Sequence, residues 1–335
     1  MIEEAPLQVF WAAVLGFSVL IYLVLDGFDL GVGALFGMTS DETFKRKMLD
    51  TIAPVWDGNE TWLIIVGASL YGAFPVVYAI LLPALYLPVG LMLIALILRG
   101  VTFEFRYKTL KHRQYLDTAF FAGSLIVSFV LGAAVGAISQ EIAIENGAYS
   151  GGAFDWLTFF TAACGLGMVC GHLLLGASWV ILKTDGPLRD WAYERVPIVL
   201  SAAVLFLAIV HTAVFYQHKD IAAAYTQHPV TLASSFFALG AAFLVFIGYK
   251  RRVDWMPFAF SSAMFVFAFC AAAFTFWPFI LPFSLTIEQA AAPHASLQFM
   301  FYGAGLVALP VTLIYTAAVF WIFRGKITDD TSYDL

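Results

Sequence analysis

Charge is what this chain has least of. Only 12% of its 335 residues are Asp, Glu, Lys or Arg, against roughly 25% in soluble domains. No polar stretch is long enough for a soluble domain, and no linker, low-complexity tract or charged tail divides the chain. A single integral membrane domain over residues 1–335 is expected. The basic residues form no patch of the kind nucleic acid requires, which excludes that class of partner. The net charge of −6 adds little, because acids do not orient membrane proteins. Cysteine is scarce as well. Cys164, Cys170 and Cys270 form no CxxC pair and lie in apolar runs, where small packing residues are expected. His218, His228 and His294 fall in outer loops, too scattered for a metal site, and His112 sits among basic residues in an inner loop.

What fills the chain instead is apolar. Hydrophobic residues make up 61%, with a mean hydropathy of +0.86. Runs of roughly 20 residues, the length of one bilayer crossing, recur at 9–37, 52–72, 76–103, 117–138, 156–182, 196–216, 229–249, 256–281 and 296–323. The reading is an all-α polytopic membrane protein with nine transmembrane helices. Two four-helix bundles plus one extra helix accommodate that number.

Basic residues set the orientation. With the N-terminus outside, the inner loops hold Lys45, Arg46 and Lys47, then Arg106, Lys108, Lys111 and Arg113, then Lys183, Arg189 and Arg195, then Lys250, Arg251 and Arg252. The cytoplasmic tail adds Arg324 and Lys326, so 15 of the 17 Lys and Arg lie inside. Lys219 alone falls outside, and Arg99 lies within a span. These inner loops suit anionic lipid. Met1-Ile2-Glu3-Glu4 lacks a basic n-region, so the first span is expected to act as the targeting signal.

Prolines mark bends and ends. Pro54 is placed in the first turn of the second span, Pro83 and Pro88 within the third, Pro310 within the ninth. Kinks are expected at the internal ones. The clusters Gly132-Ala133-Ala134-Val135-Gly136 and Gly165-Leu166-Gly167 suit close helix contact, with intramolecular packing favoured over a dimer interface.

The rare polar residues within spans carry the functional signal. A mid-membrane Asp costs about 2.5–3.5 kcal/mol on insertion scales, so such residues face protein, partner or water. Asp26 and Asp29 are three apart, as are Asp57 and Glu60 in Trp56-Asp57-Gly58-Asn59-Glu60-Thr61-Trp62. Residues i and i+3 share a helix face, so each pair is expected to present two carboxylates one way. Arg99 and Glu104 come late in the next inward-running helix, which places all six at a similar cytoplasmic-side depth. Asp57 is expected roughly 8 Å along its span, at 1.5 Å per residue. Four carboxylates beside one Arg cannot all stay ionised in a low dielectric, so at least one holds a proton. That is the property of a proton-relay site. The structural alternative is an Arg–Asp pair that fixes three helices in register. His172, mid-span, is read as a hydrogen-bonded core residue rather than a haem ligand, and so is His211. An ion-coupled secondary transporter is the competing function, but it needs polar groups at the midplane and in both halves of the chain.

Three stretches carry a resemblance: Asp26-Gly27-Phe28-Asp29-Leu30-Gly31-Val32-Gly33, Ala53-Pro54-Val55-Trp56-Asp57-Gly58-Asn59 and Arg99-Gly100-Val101-Thr102-Phe103-Glu104-Phe105-Arg106. Trp277-Pro278-Phe279 and His294-Ala295-Ser296-Leu297-Gln298 extend it to the last third. Over essentially its full length the chain resembles subunit II of the cytochrome bd family of quinol oxidases. Asn59-Glu60-Thr61-Trp62 and the compact length are closer to the cyanide-insensitive branch. The resemblance implies a bacterial inner-membrane subunit, inactive alone, paired pseudo-symmetrically with subunit I. That partner would carry haems b558, b595 and d (or b), oxidise quinol and reduce oxygen to water. It further implies that Asp26 and Asp57 are the main proton-path carboxylates, with Asp29 and Glu60 beside them. Arg99, Asn59, Trp56 and Glu104 become charge or structural partners. Some members hold a structural quinone in this subunit, and a small accessory membrane peptide is a further possible partner.

Overall fold

The computed structural model describes residues 4–109, 111–217 and 229–327. Residues 1–3, His218, Lys219 and His228 lie outside the described residues. Helix dominates because a chain in lipid must satisfy its backbone within each segment. The helices are α1 (Glu4–Phe36), α2 (Glu42–Ile52), α3 (Trp56–Ala73), α4 (Pro75–Ala84), α5 (Tyr86–Phe105), α6 (Arg113–Ile138), α7 (Phe159–Lys183), α8 (Gly186–Gln217), α9 (Pro229–Arg251), α10 (Trp255–Phe276), α11 (Ile287–Ala290), α12 (His294–Met300) and α13 (Leu309–Ile322). A π-helical segment, Phe301–Ala308, joins α12 to α13. Among the described residues, eight helices are long and apolar enough to cross a membrane: α1, α5 to α10, and the composite His294–Ile322.

Two expected boundaries move, both for reasons of backbone chemistry. The run 76–103 is not one kinked helix; it breaks at Leu85 between α4 and α5. Pro88 lacks an N–H, and its ring would strike the carbonyl four residues back, at Ala84, where α4 ends. Pro54 sits in the turn between α2 and α3 rather than inside the second span, so α3 starts only at Trp56. The segment 42–52 is itself a helix, capped by the Asp41 carboxylate, which accepts from the backbone of Thr43 at 2.8 Å. In the last helix, Pro310 removes another donor, and the widened π segment lies immediately before it.

The fold is organised around α1, which packs on α7, α3 and α6. Its approach to α7 requires glycine: a Cβ on Gly31 would lie 1.8 Å from the His172 carbonyl oxygen, and one on Gly176 2.3 Å from the Gly31 carbonyl carbon. Gly132 meets the Cys164 backbone in the same manner, so that small-residue cluster serves α6–α7 packing within the chain. Helices α7 and α8 pair, as do α9 and α10, and α10 also lies against α7. At one end of the bundle, β1 (Ile144–Glu145) and β2 (Ala148–Tyr149) form a hairpin. Its turn residues Asn146 and Gly147 both take positive φ, as a type I′ turn demands. Near the same end, β3 (Phe279–Leu281) pairs with β4 (Leu285–Thr286). Trp11 of α1 is buried and donates Nε1–H to the Leu297 carbonyl.

At the opposite end, several expected lipid-facing cations are taken up by ion pairs. Arg106 is fully buried, with Nε 2.6 Å from Asp117 and Nη2 3.0 Å from Glu42. Lys45 reaches Asp117 at 2.8 Å, and Arg113 reaches Glu42 at 3.2 Å. This network ties α2, α5 and α6 together.

Candidate functional site

Asp26 and Asp29 lie one turn apart on α1, and the face they share turns inward, where a Cβ on Gly33 would lie 2.0 Å from Ser124 Oγ of α6. Both are fully buried. On α3 the buried positions are Asn59, Trp62, Ser69 and Ala73, a heptad-like stripe laid against α1. Asn59 therefore points at α1, and its amide donates to Asp29 Oδ2 at 2.7 Å and to the Leu25 carbonyl at 3.3 Å. Arg99 reaches in from α5, fully buried, with Nη1 3.5 Å from Asp26 Oδ1 and 3.3 Å from Glu60 Oε1. Its stem lies against Gly123 of α6, where a Cβ would come within 3.2 Å of Arg99 Cγ. Glu60, with 24% of its side chain accessible, is the member nearest the surface.

Three carboxylates thus surround one guanidinium where α1, α3 and α5 meet. Asp26 Oδ2, Asp29 Oδ1 and Arg99 Nε and Nη2 have no hydrogen-bond partner among the described residues. Buried polar atoms in folded proteins are nearly always paired with protein or water. The arrangement has donor and acceptor capacity left for water or a proton.

The structure separates residues that sequence spacing grouped. Asp57 is exposed on the far side of α3 from Asn59, so the i, i+3 pair Asp57 and Glu60 straddles the edge of the helix instead of sharing one direction. It also stands in the first turn of α3, shallower than expected. Glu104 is exposed and pairs with Lys108 at 3.4 Å, apart from the cluster. Trp56 stacks on Phe103, 4.7 Å between centroids, and packs the seam beside Gly100.

One residue was missed. Tyr22, four before Asp26 on α1, is buried, and its hydroxyl lies against the Asp26 carboxylate. Helical spacing back from Asp26 was the available signal.

His172 is a packed core histidine. Its Nδ1 is 3.0 Å from Ser128 Oγ, its ring stacks on Phe265, and a Cβ on Gly27 would come within 2.9 Å of it. A ring pressed so closely on α1 leaves no space for a porphyrin. His211 contacts Ser235 Oγ at 3.4 Å. Among the described residues no group of three His, Cys, Asp or Glu side chains is disposed to hold a metal ion. At His172, the one mid-span histidine of α7, the packing does not fit a haem.

Comparison with known proteins agrees with the fold. Residues 7–323 match the family model for cytochrome bd terminal oxidase subunit II. The chain is 28% identical to the cytochrome bd-I ubiquinol oxidase subunit 2 of Escherichia coli K12, over 98% of this chain and 97% of that protein. It is 27% identical to the cytochrome bd ubiquinol oxidase subunit 2 of Bacillus subtilis, over 97% and 98%. Among solved structures, the bd oxidase of Geobacillus thermodenitrificans superposes with a TM-score of 0.77 at 15% identity, covering 95% of this chain and 97% of its own.

Proposed function

Since the chain belongs to the cytochrome bd terminal oxidase subunit II family, we propose that it is the haem-free subunit of a quinol:oxygen oxidoreductase in a bacterial inner membrane. It supports a haem-bearing subunit I and supplies that partner with protons from the cytoplasm. The chain crosses nine times, with α3 as the crossing that its polar first turn disguises, the N-terminus outside and the C-terminus inside. The segregation of basic residues supports that orientation.

The buried cluster of Asp26, Asp29, Glu60 and Arg99 carries the reading. If all three carboxylates were ionised, the site would hold two uncompensated negative charges in a low dielectric, so the carboxylates share protons and titrate as a set. Asp57 stands at the mouth, exposed to water or partner, and Glu60 lies between it and the buried pair. Protons enter at Asp57, pass Glu60 and reach Asp26 beside Arg99. Asn59 holds Asp29 in place. Oxygen reduction consumes protons, and a relay from the cytoplasmic side makes that consumption contribute to the membrane potential.

The test is turnover of the assembled complex carrying Asp26→Asn. Oxygen consumption should fall about a hundredfold, the lower end of general acid–base contributions, while the reduced-minus-oxidised haem spectrum is kept. Asp57→Asn should slow it in the same direction. Full turnover in a spectrally intact Asp26→Asn complex would leave the cluster a purely structural role.

A further inference from the structure

Tyr22 extends the carboxylate cluster away from the cytoplasmic end. Along α1 the residues Asp29, Asp26, Tyr22 and Ser18 recur every three or four positions and so occupy one face. All four are buried, Tyr22 at 2% exposure and the other three at 0%. Helix α1 packs on α3, and the α3 residue that meets this face is Asn59, bonded to Asp29 at 2.7 Å.

Along this stretch Trp62 Nε1 has no hydrogen-bond partner among the described residues, and the polar group that Tyr22 Oη meets is the Asp26 carboxylate. A buried tyrosine hydroxyl demands a partner, and phenylalanine would fill the same space without the demand. The hydroxyl is therefore not explained by packing. It abuts Asp26 and lies in the field of Arg99 and Glu60. One turn further out, Ser18 Oγ donates to the Val14 carbonyl at 2.7 Å, which leaves its lone pairs open as acceptors. Successive members of the face are separated by about 6 Å of helix rise per four residues, the distance that a water-mediated step along the face has to cover.

We propose that Tyr22 is the relay group that follows Asp26, so that the proton path leaves the carboxylate cluster along α1 toward Ser18 and the outer half of the membrane. This rests on the proton-path reading above. In the transfer, the phenol oxygen accepts a proton from the Asp26 carboxyl as its own O–H proton passes to the next water, on the Ser18 side. One O–H bond forms and one breaks at Tyr22, which stays neutral throughout, and Asp26 is left ionised beside Arg99 to be reprotonated from Glu60.

The experiment is Tyr22→Phe in the purified complex, which removes one oxygen and keeps the ring. Turnover with saturating quinol, its H2O/D2O ratio and proton uptake by proteoliposomes are measured beside Asp26→Asn. Turnover several-fold slower, a larger solvent isotope effect and an unchanged haem spectrum are expected, with Tyr22→His, which keeps a protic group, recovering part of the rate. Wild-type turnover and isotope effect in Tyr22→Phe, with Asp26→Asn slow, would overturn the extension and leave the carboxylate path standing. Wild-type behaviour in both variants would overturn the path and the extension together. Loss of haem from the Tyr22→Phe complex, or slowing with no change in isotope effect, would make Tyr22 a packing residue.

Discussion

Arg99 is the residue on which the site's electrostatics turn. It is the one cation among three carboxylates, its stem is seated on Gly123, and the Phe120 ring lies 5.9 Å from its guanidinium carbon. Removing one partner of a buried ion pair leaves the other charge uncompensated, at a cost of about 3–5 kcal/mol. Arg99→Met should therefore lower the thermal midpoint of haem retention in the complex. Adding Asp26→Asn should restore part of the loss, because the two changes are coupled through the same contact. A double variant no more stable than Arg99→Met alone would show that the pair does not act as a unit. The roles of Asp26, Asp29 and Arg99 as inward-facing groups were legible in the sequence, since charge inside an apolar run has nowhere else to go. The separation of Asp57 from Glu60 was not. It depends on which stripe of α3 meets α1, and Asn59, Trp62, Ser69 and Ala73 reveal that stripe only once the partner helix is known. Tyr22 was overlooked for a different reason: its i, i+4 spacing from Asp26 was legible, but a tyrosine in an aromatic-rich helix does not stand out until the carboxylate is seen against its hydroxyl.

At the scale of elements, hydropathy located the long helices but not their internal joints. The break at Leu85 follows from Pro88 acting on Ala84, and α2 was hidden because its basic residues read as loop. A further element, the segment after α13, was legible only as a cationic tail. It is strapped to the bundle: Ile327 N–H donates to the Lys183 carbonyl at 2.8 Å, Lys183 Nζ donates to the Phe323 carbonyl, and Lys326 reaches Asp254 at 2.6 Å and Asp185 at 2.8 Å. Burial alone would raise the Asp254 carboxyl, but hydrogen bonds from Lys326 and Tyr193 and the charge of Arg189 outweigh it and hold the group below its ordinary range. Burial alone would likewise lower Lys326, and Asp185 and Asp254 hold it above its ordinary range instead. A depressed carboxyl stabilises the folded state above its unfolded value and loses that contribution as pH falls through the folded one. A raised amine contributes below its unfolded value and loses it as pH rises through the folded one. The strap should therefore stay closed across the neutral range and open only in acid below the ordinary carboxylate range, or in alkali above the ordinary lysine range. Proteolysis or amide exchange at residues 323–327 reads this directly. Lys326→Met should release the segment at neutral pH, and release of the unmodified strap near neutrality would contradict the assignment.

The whole molecule is lopsided, and the lopsidedness points to where subunit I sits. Helix α13 has no buried residue, although it belongs to a crossing that closes one side of the bundle. Beside it, α3 presents Asp57, Ile64 and Tyr71 outward at seven-residue spacing, the last two 70% and 69% exposed. The two helices meet at Tyr315, whose ring edge would lie 3.2 Å from a Cβ on Gly58. An apolar face alone is satisfied by lipid. A carboxylate next to it is not, because an ionised group facing the bilayer must find water or a partner. Helix α8, in contrast, exposes Ile198 one turn from Glu194, whose carboxylate is paired with Arg195 at 3.8 Å, and suits lipid. Subunit I is therefore expected to cover the α3–α13 face and to roof Asp57, the proposed proton entrance. A photoreactive side chain at Ile64 or Ile314 should capture that subunit in native membranes, whereas the same probe at Ile198 should yield only lipid adducts. Capture from Ile198 and not from Ile64 would place the partner on the opposite side. The Asp57 carboxylate would then face headgroups, and the entrance to the path would open directly to the cytoplasmic membrane surface instead of the subunit boundary.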